Sequence, residues 1–522
     1  MSKWEKKANK ILNEYFNIDE LKPKQYEIID SLLNGNDVIG LLPTGYGKSL
    51  CYILPSLLTK KTTFIISPLI ALMDDQKEKL TKNKIICATL HSNNANKNQE
   101  LNSVKDGDID IVFMSPEFLI EGEGLDIAEI LIKEDKMGFL AIDEAHCICS
   151  WGFDFRKEYT KIIQFRQKFP QIPILALTAT ARSAMCEEIK NSLGLTDTVV
   201  IKTSFDRNNI FFGIEEIATS KQEKSYKNRG KTLKRIVDAK IPKHIIIKSW
   251  IDSYPNEKII VYINSRSECD ELSIKLNEIC PNVSKSYNAG LSKEKRETIQ
   301  KEFSTGIFNV IICTIAFGMG IDQIVRGVLI FGYPSSIEEY YQQIGRAGRD
   351  NKPSFSIFYY DYCQMMKNKA GLKDEKKIEQ IDALTKLIYS PFCKRKYILE
   401  YFEEKCDFTN CNNCSNCCNF INCENNLIDV TSIFSDIILK NSIKTATIKI
   451  KPYLTRDGNK ILFFSHFKEW KELYSKLVKP TKKDKAKLKL IYNNKYISIP
   501  IEEPVDLDDL DNLEKKYRHL LN

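Results

Sequence analysis

Short apolar runs alternate with amphipathic, helix-like stretches through the first two thirds of the chain. Between residues 36 and 200 the apolar runs cover residues 37–42, 63–67, 109–114, 138–143 and 173–178. Each run has the length of a buried strand and ends where a polar or glycine-rich motif begins. This alternation is typical of a parallel α/β sheet whose ligand site lies at the carboxyl ends of the strands.

The same alternation returns between residues 258 and 360. Apolar runs there cover residues 259–263, 310–313, 327–331 and 354–359. The pattern predicts two α/β domains in tandem, residues 1–203 and 204–365, with a cleft between them. In the connecting stretch, residues 219–235 hold seven Lys or Arg against one Glu, and a solvated loop or helix face is the simpler interpretation of that charge.

The last third of the chain has a different pattern. Residues 366–423 read as helices followed by a cysteine-rich segment, which predicts a helical zinc-binding module. Residues 424–522 contain two hairpin signals, Asp457-Gly458 and Asn493-Asn494, and a Leu/Asp-rich tail at 505–521 that predicts a helix. A diverged winged helix and an unrelated small fold are equally good interpretations of this last segment.

Length, net charge, hydrophobicity and cysteine content restrict the class of protein. The 522 residues suggest three or four domains at roughly 150 residues each. A net charge of +8 permits a polyanionic partner without requiring one. The first 20 residues do not resemble a secretory signal, and no stretch approaches the roughly 18 apolar residues of a membrane span. We therefore expect a soluble intracellular protein without membrane contact, in the nucleus or the cytoplasm, whose 16 cysteines are reduced thiols or metal ligands.

A glycine-rich segment follows the first apolar run and opens a helical stretch. Its backbone amides can cradle phosphate oxygens at a helix N-terminus, Lys48 adds a cation for the β- and γ-phosphates, and Ser49 can ligate Mg²⁺. The strict phosphate-loop pattern has Gly six residues before the lysine, where this chain has Leu42. The predicted ATP-contacting residues of this loop are Pro43, Thr44, Gly45, Tyr46, Gly47, Lys48 and Ser49.

An acidic pair ends the fourth apolar run and leads directly into an aromatic segment. Asp143 is suited to the Mg²⁺ shell, and Glu144 to orienting or deprotonating the attacking water. The rings of Trp151, Phe153 and Phe155 follow within a dozen residues, so the segment can link ATP hydrolysis to stacking on unpaired bases.

An arginine-containing turn, residues 343–349, lies in the second predicted domain. Arg346 and Arg349 are separated by Ala and Gly and can reach across a cleft to the γ-phosphoryl group. Charge grows on that group in the transition state, where a guanidinium gives a large acceleration. Hydrolysis would then depend on closure of the two domains.

Seven cysteines fall between residues 393 and 423. Cys393, Cys411, Cys414 and Cys417 have a spacing that suits a closed, tetrahedral Zn²⁺ site. Three further cysteines are spare candidates that could replace a ligand, namely Cys406, Cys418 and Cys423.

Taken in order, these motifs resemble the superfamily-two helicases, and most closely the RecQ family. The resemblance covers roughly residues 10–420, and the segments after the acidic pair and at residues 314–322 are specific to RecQ-like enzymes. The segments that carry it are residues 21–25, 43–49, 67–76, 143–159, 177–181, 204–207, 314–322 and 343–349.

The resemblance implies two RecA-like domains, a zinc module and roles for further residues. It implies that Gln25 reads the adenine, that Thr178 and Thr180 couple the two faces of the cleft, and that Asp322 faces the ribose or a sensing arginine. It also implies that Trp151, Phe153, Phe155 and Arg156 form an aromatic-rich loop on single-stranded DNA. The chain departs from the family at Lys22, where the family has an arginine that stacks on adenine, and at Phe153 and Lys157, where it has His and Pro.

The sequence therefore predicts an ATP-, Mg²⁺- and Zn²⁺-dependent DNA helicase that acts on single-stranded and partly duplex DNA. The 3′ to 5′ direction and a role in DNA repair, recombination or replication come from the resemblance alone. Two alternatives remain: an RNA helicase on the same scaffold, and a non-catalytic nucleic-acid scaffold. The complete catalytic set of Lys48, Asp143, Glu144, Arg346 and Arg349 argues against the second alternative.

Overall fold

The computed structural model describes residues 4–91, 94, 96–149, 156–180, 182–217, 219–228, 231–317, 323–361, 372, 374–390, 392–420, 427–429 and 461–463. The chain divides into two compact units. The first comprises Met1–Ile210, Ile217–Gln380 and Leu399–Lys405, and the second comprises Phe211–Glu216, Ile381–Ile398 and Cys406–Asn522. None of the helices in the described ranges is long and apolar enough to cross a membrane.

The first sheet of the larger unit has seven parallel strands. They are β1 (Val38–Leu41), β2 (Thr62–Ile66), β3 (Cys87–Leu90), β4 (Ile111–Met114), β5 (Met137–Ile142), β6 (Ile174–Thr178) and β7 (Val199–Lys202). Their order across the sheet is β3-β4-β2-β5-β6-β1-β7, and every pairing is parallel. All five apolar runs predicted as strands in this region are strands, which confirms the predicted parallel α/β sheet.

Helices cover this sheet, and one of them packs against Gly40 in β1. A Cβ atom on Gly40 would lie 2.6 Å from Leu177 Cδ2 in β6 and 2.9 Å from Ile28 Cδ1 in the helix, so a larger residue would require these buried side chains to shift. The helices are Glu5–Ile11, Pro23–Leu33, Leu50–Thr59, Ile70–Lys82, Lys97–Lys105, Pro116–Glu121, Gly124–Lys133, Ile163–Lys168 and Ser183–Leu193, with a π-helical turn at Leu12–Phe16 and 3₁₀ turns at Ala145–Ile148 and Lys157–Ile162.

A second parallel sheet follows in the same unit. After β8 (Ile210–Glu216), β9 (Thr219–Asn228) and β10 (Lys231–Lys240) come β11 (Ile259–Tyr262), β12 (Ser284–Tyr287), β13 (Val310–Cys313), β14 (Gly327–Ile330) and β15 (Ser354–Tyr360). Five of these run in the order β12-β13-β11-β14-β15, and all are parallel. Helices Lys243–Ser253, Arg266–Ile279, Lys293–Thr305 and Ile337–Ile344 accompany them. The second predicted α/β domain is confirmed.

The basic connecting stretch forms strands, not the loop or helix that the charge pattern favoured. Strands β9 and β10 pair in an antiparallel ladder from Thr219↔Lys240 to Asn228↔Lys231, and they form a two-stranded sheet of their own. We call these two strands the basic hairpin.

Helices Glu375–Tyr389, Lys394–Tyr401 and Ser415–Phe420 follow β15 and lead into the cysteine-rich segment. In the smaller unit, the short strands β16 (Leu427–Asp429) and β17 (Ile461–Phe463) pair in parallel. The two hairpin signals and the tail helix expected beyond residue 424 lie outside the described residues, and so does the winged-helix interpretation.

Candidate nucleotide site and zinc centre

The phosphate loop connects β1 to the helix Leu50–Thr59, at the carboxyl edge of the first sheet. Gly45 and Gly47 have φ angles of +84° and +97°, a region that favours glycine. A side chain on Gly47 would also collide with Gln25, because its Cβ would lie 2.5 Å from Gln25 Nε2. The loop ends at Ser49, which precedes the helix and shares a side-chain hydrogen bond with Tyr52.

The side chain of Gln25 forms hydrogen bonds that stabilise this loop. Its Nε2 donates to the carbonyls of Tyr46 and Gly47 at 3.2 and 3.0 Å, and its Oε1 accepts from the Lys22 amide at 2.9 Å. Lys22 Nζ in turn donates to the Tyr46 carbonyl at 3.0 Å and lies 4.8 Å from the centre of the Tyr46 ring. Burial, followed by the charge of Arg207, lowers the pKa of Lys22. Lys22 and Gln25, at the start of the helix Pro23–Leu33, thus stabilise the loop on which a nucleotide would lie.

Lys48 and Glu144 form the charged centre of the site. Lys48 Nζ lies 3.4 Å from Glu144 Oε1, and both side chains are 14% exposed. The other carboxylate oxygen of Glu144 lies 3.3 Å from His146 Nδ1. His146 is fully buried, and its Nδ1 is 3.1 Å from Thr178 Oγ1 at the end of β6. A continuous chain of contacts therefore runs from the phosphate loop to β6.

The pKa values of Asp143 and Glu144 are shifted in opposite directions. Burial and the charge of Glu144 raise the pKa of Asp143 to about 6. Burial also acts against the charged form of Glu144, but Lys48, His146 and Arg346 outweigh it and hold the pKa of Glu144 below its usual value. Glu144 has φ +50°, a left-handed conformation that non-glycine residues rarely adopt and that is often found at functional sites. Glu144 is therefore the first of the pair to ionise as the pH rises, and it is a carboxylate at neutral pH, ready to accept a hydrogen bond.

The arginine turn of the second sheet lies against the phosphate loop. A Cβ on Gly45 would be 3.3 Å from Arg349 Cγ, and a Cβ on Gly345 would be 3.5 Å from Thr44 Cβ. Arg346 is 7% exposed, and its charge contributes to the lowered pKa of Glu144. The structure thus brings together Lys48, Glu144, Arg346 and Arg349, which the sequence placed some 300 residues apart.

Arg207 joins these two loops, although the sequence motif that contains it gave no such indication. Its guanidinium donates to the Thr44 carbonyl of the phosphate loop at 3.2 Å. The same group donates to the carbonyls of Ala347 and Gly348 in the arginine turn at 3.0 and 3.1 Å. Burial lowers the pKa of Arg207. Five planar donors on one rigid group suit this kind of bridge between carbonyls, which a lysine could not make in the same way.

The predicted DNA-contacting loop is described only at its ends. Trp151, Phe153 and Phe155 lie outside the described residues, as does Asp322. Arg156 is described: its amide donates to the Cys147 carbonyl at 2.9 Å, and its guanidinium donates to the Pro68 carbonyl. The hydrogen bond between residues 156 and 147 holds the two ends of the loop together, next to the 3₁₀ turn that begins after Glu144.

The four predicted zinc ligands come together. The Sγ atoms of Cys393, Cys411, Cys414 and Cys417 lie within 4.8 Å of one another. This spacing fits four thiolates at about 2.3 Å from a central Zn²⁺. Hydrogen bonds from Cys393 and Cys411 lower the pKa of Cys414, whereas its hydrogen bonds with Cys411 and Cys414 raise the pKa of Cys393. Among the described residues, Cys406 and Cys418 are not part of this cluster; the third spare candidate, Cys423, lies outside them.

Comparison with known families agrees with the order of these elements. Residues 22–189 match the DEAD/DEAH box helicase family, residues 240–351 match the helicase conserved C-terminal domain, and residues 360–418 match the RecQ zinc-binding family. Among solved structures, the helicase MrfA bound to DNA has a TM-score of 0.55 over 69% of this chain and 52% of that chain, at 19% identity, which supports the fold.

Curated relatives extend over most of the chain. A protein of Acanthamoeba polyphaga mimivirus that is named for an ATP-dependent RNA helicase activity is 35% identical over 79% of this chain and 73% of its own length. The ATP-dependent DNA helicase RecQ of Haemophilus influenzae is 34% identical over 82% of this chain and 66% of its own length. The ATP-dependent helicase SGS1 of Saccharomyces cerevisiae is 35% identical over 79% of this chain, but the match spans only 28% of that protein. With both helicase domains and the RecQ zinc module matched in order, the chain belongs to the RecQ-like family of superfamily-two helicases.

Proposed function

We propose that this protein is an ATP-dependent DNA helicase that moves 3′ to 5′ along single strands and separates duplex DNA during repair, recombination or replication. The observation that carries this proposal is the placement of the arginine turn over the phosphate loop, beside the Lys48–Glu144 pair. A site assembled from both sheets can make hydrolysis depend on their closure, which is the event that a translocating motor needs.

The chemistry follows from the position of each group. Backbone amides of the phosphate loop would bind the phosphates of ATP, with Lys48 drawn to the β- and γ-phosphates. Glu144, whose low pKa keeps it ionised, would orient the attacking water and accept its proton. The guanidinium groups of Arg346 and Arg349 would stabilise the charge that develops on the γ-phosphoryl oxygens. Ser49 and Asp143 would hold Mg²⁺, which neutralises charge on the phosphates when bound.

We assign residues 1–203 and 204–365 to the two helicase domains, residues 366–423 to the zinc module and residues 424–522 to a C-terminal domain. Zn²⁺ on the four clustered thiolates would be structural, because four protein ligands leave no open position for substrate. Trp151, Phe153, Phe155 and Arg156 would contact the single strand.

A specific observation favours one rival. The mimiviral relative, which this chain spans most fully among those compared, carries the name of an RNA helicase, whereas the RecQ relative carries that of a DNA helicase. The RecQ zinc-binding match supports DNA, and the contacts of the described site residues do not distinguish the two sugars.

The decisive experiment measures ATP turnover with no polynucleotide, with single-stranded DNA and with single-stranded RNA of the same sequence. We expect strong stimulation by DNA and weak stimulation by RNA, together with unwinding of a duplex that has a 3′ tail but not of one that has a 5′ tail. Stronger stimulation by RNA would replace the proposal with the RNA helicase, and absence of turnover with either polymer would leave a non-catalytic scaffold.

A further inference from the structure

The basic hairpin carries most of the protein's net charge. Residues 219–240 hold eight Lys or Arg and two acidic residues, so they account for six of the eight net positive charges of the chain. Neither acidic residue lies between positions 224 and 235. The positive charge is therefore concentrated at the end of the ladder where Asn228 pairs with Lys231.

The register of the hairpin makes this concentration of positive charge unfavourable when no polyanion is bound. Lys224 lies directly opposite Arg235, and the neighbouring pairs Ser225↔Lys234 and Lys227↔Thr232 add a lysine each. Like charges directly opposite each other destabilise an antiparallel pair. A two-stranded sheet is in any case only marginally stable in water. A bound polyanion would relieve the repulsion and stabilise the ladder.

We propose that the basic hairpin is an accessory binding site for the phosphate backbone of the nucleic acid on which the helicase acts. This inference rests on the proposed function, since it names a second contact for the same substrate. Strands of ten residues span about 30 Å at about 3.4 Å per residue. That length matches about nine phosphates along one strand of a duplex. Phosphate contacts carry no sequence information, so the site would hold any sequence and would weaken steeply with salt.

The location of the hairpin fits an accessory role. It is inserted between β8 and the helix Lys243–Ser253, and neither parallel sheet includes its strands. Its residues take no part in the contacts of the nucleotide site described above. Neutralising its charges should therefore alter nucleic-acid affinity and leave ATP turnover without nucleic acid unchanged.

The test compares three full-length variants with the wild type. The hairpin variant combines Lys224→Gln, Lys231→Gln, Lys234→Gln and Arg235→Gln. The control variant removes the same charge from four exposed lysines of the first helicase domain: Lys6→Gln, Lys10→Gln, Lys60→Gln and Lys84→Gln. A charge-keeping variant carries Lys224→Arg, Lys231→Arg, Lys234→Arg and Arg235→Lys.

Binding of a fluorescent single-stranded DNA of mixed sequence is measured between 50 and 200 mM salt, beside basal and DNA-stimulated ATP turnover. For the hairpin variant we expect affinity to fall about tenfold or more at low salt, and the slope of log K against log salt to decrease by about 2 to 3, from about 0.7 per lost phosphate contact. The charge-keeping variant should bind as the wild type does, and the control variant should change far less.

Three results would overturn the inference: unchanged binding by the hairpin variant, an equal loss in the control variant, or an equal loss in the charge-keeping variant. If binding is unchanged, the alternative partner for the positively charged hairpin is a protein with an acidic surface. A wild-type protein whose ATP turnover does not respond to DNA would contradict the proposed function instead, whatever the hairpin variant binds.

Discussion

At the residue scale, Lys48 and Glu144 are each other's charge partner in a nearly buried setting. Their 3.4 Å separation and 14% exposure mean that neither charge is well solvated. A γ-phosphate that attracts Lys48 would weaken this pair and leave one oxygen of Glu144 available to a water molecule. His146, held by Thr178, would still orient the carboxylate through its other oxygen. Substrate binding and preparation of the general base would thus be one event.

We predict that Lys48→Ala abolishes ATP turnover and unwinding while single-strand binding is largely kept. The substitution removes the phosphate cation, whereas the affinity for DNA comes mainly from phosphate contacts elsewhere. Lys60→Ala is the matched control, because Lys60 is an exposed lysine at the end of the helix that follows the loop. Turnover above about a tenth of the wild-type rate in Lys48→Ala would contradict this role.

The contacts of Arg207 in the structure support a prediction that could not be made from the sequence alone. Arg207→Ala would remove the donors shared by the phosphate loop and the arginine turn, and misplacement by about 1 Å can cost about 100-fold in rate. We expect kcat to fall about tenfold or more, with KM for ATP raised, and Arg207→Lys to recover only part of the rate. ATP turnover is compared with the melting temperature. If activity falls only as far as the folded fraction does, Arg207 has a purely structural role.

At the element scale, position within the sheet explains which strands the sequence revealed. The nine apolar runs predicted as strands are all present in the two parallel sheets. The strands of those two sheets that the pattern missed include β3 and β7, the two edges of the first sheet, and β12, an edge of the second. An edge strand has one neighbour and is partly solvated, so β12 reads Ser-Lys-Ser-Tyr and Val200 in β7 is 40% exposed. Hydrophobic runs report burial on both faces, which β7 and β12 lack. β3 is mostly buried, but its four residues, Cys-Ala-Thr-Leu, make too short and too polar a run to stand out.

Some features of the candidate site could also be predicted from the sequence, and others could not. The loop, the acidic pair and the arginine turn could be predicted because each is a local motif with its own chemistry. The bracing of the loop by Gln25 and the bridge made by Arg207 could not, because they depend on contacts between residues far apart in the chain. The Arg207 contact to Thr44, for example, spans 163 positions. No spacing rule in a single sequence encodes such a contact.

The zinc module supports a prediction with an internal control. Cys414→Ser should lower the zinc content and the melting temperature of the purified protein, because a structural tetrathiolate contributes directly to folding. Cys418→Ser should leave both near wild type, since Cys418 is exposed and outside the four-thiol cluster. Metal analysis and thermal melting measure the two effects. Wild-type protein without stoichiometric zinc, or equal loss in both variants, would refute the ligand assignment.

At the scale of the whole molecule, two of the contacts that join the halves of the larger unit involve residues outside both parallel sheets. One is the Arg207 bridge at the nucleotide site. The other is the segment Tyr401 to Glu404, whose Tyr401 hydroxyl donates to Glu338 at 2.8 Å and whose Glu404 accepts from the Phe205 amide at 2.8 Å. Glu403 also accepts from the amide of Ser183 at 2.9 Å, at the start of the helix Ser183–Leu193, where a carboxylate is favoured. The segment at the end of the helix Lys394–Tyr401 thus contacts the helix Ser183–Leu193 of the first half, and Phe205 and Glu338 of the second.

Nucleic acid would enter this arrangement through the aromatic loop. Its two ends are fixed by the hydrogen bond from Arg156 to Cys147, only three residues beyond Glu144. If bases stack on the rings of this loop, DNA can move the segment that orients Glu144 and can thereby change the rate of hydrolysis. Base–aromatic stacking offers about 1–3 kcal/mol per base, which is enough to shift such an equilibrium about fivefold or more.

We therefore predict that Trp151→Ala leaves basal ATP turnover nearly unchanged, abolishes most of its stimulation by single-stranded DNA and reduces unwinding in parallel. Trp250→Ala is the contrasting control: Trp250 stacks on Phe355 at 4.3 Å and donates to the Tyr359 hydroxyl at 2.7 Å. Trp250 is partly buried, so loss of that packing should destabilise the protein by less than the about 3–5 kcal/mol of a fully buried Trp, and should lower basal and stimulated rates together. Melting temperature, basal turnover and DNA-stimulated turnover separate the two patterns. A stable Trp151→Ala protein with full stimulation would show that coupling runs through another part of the molecule.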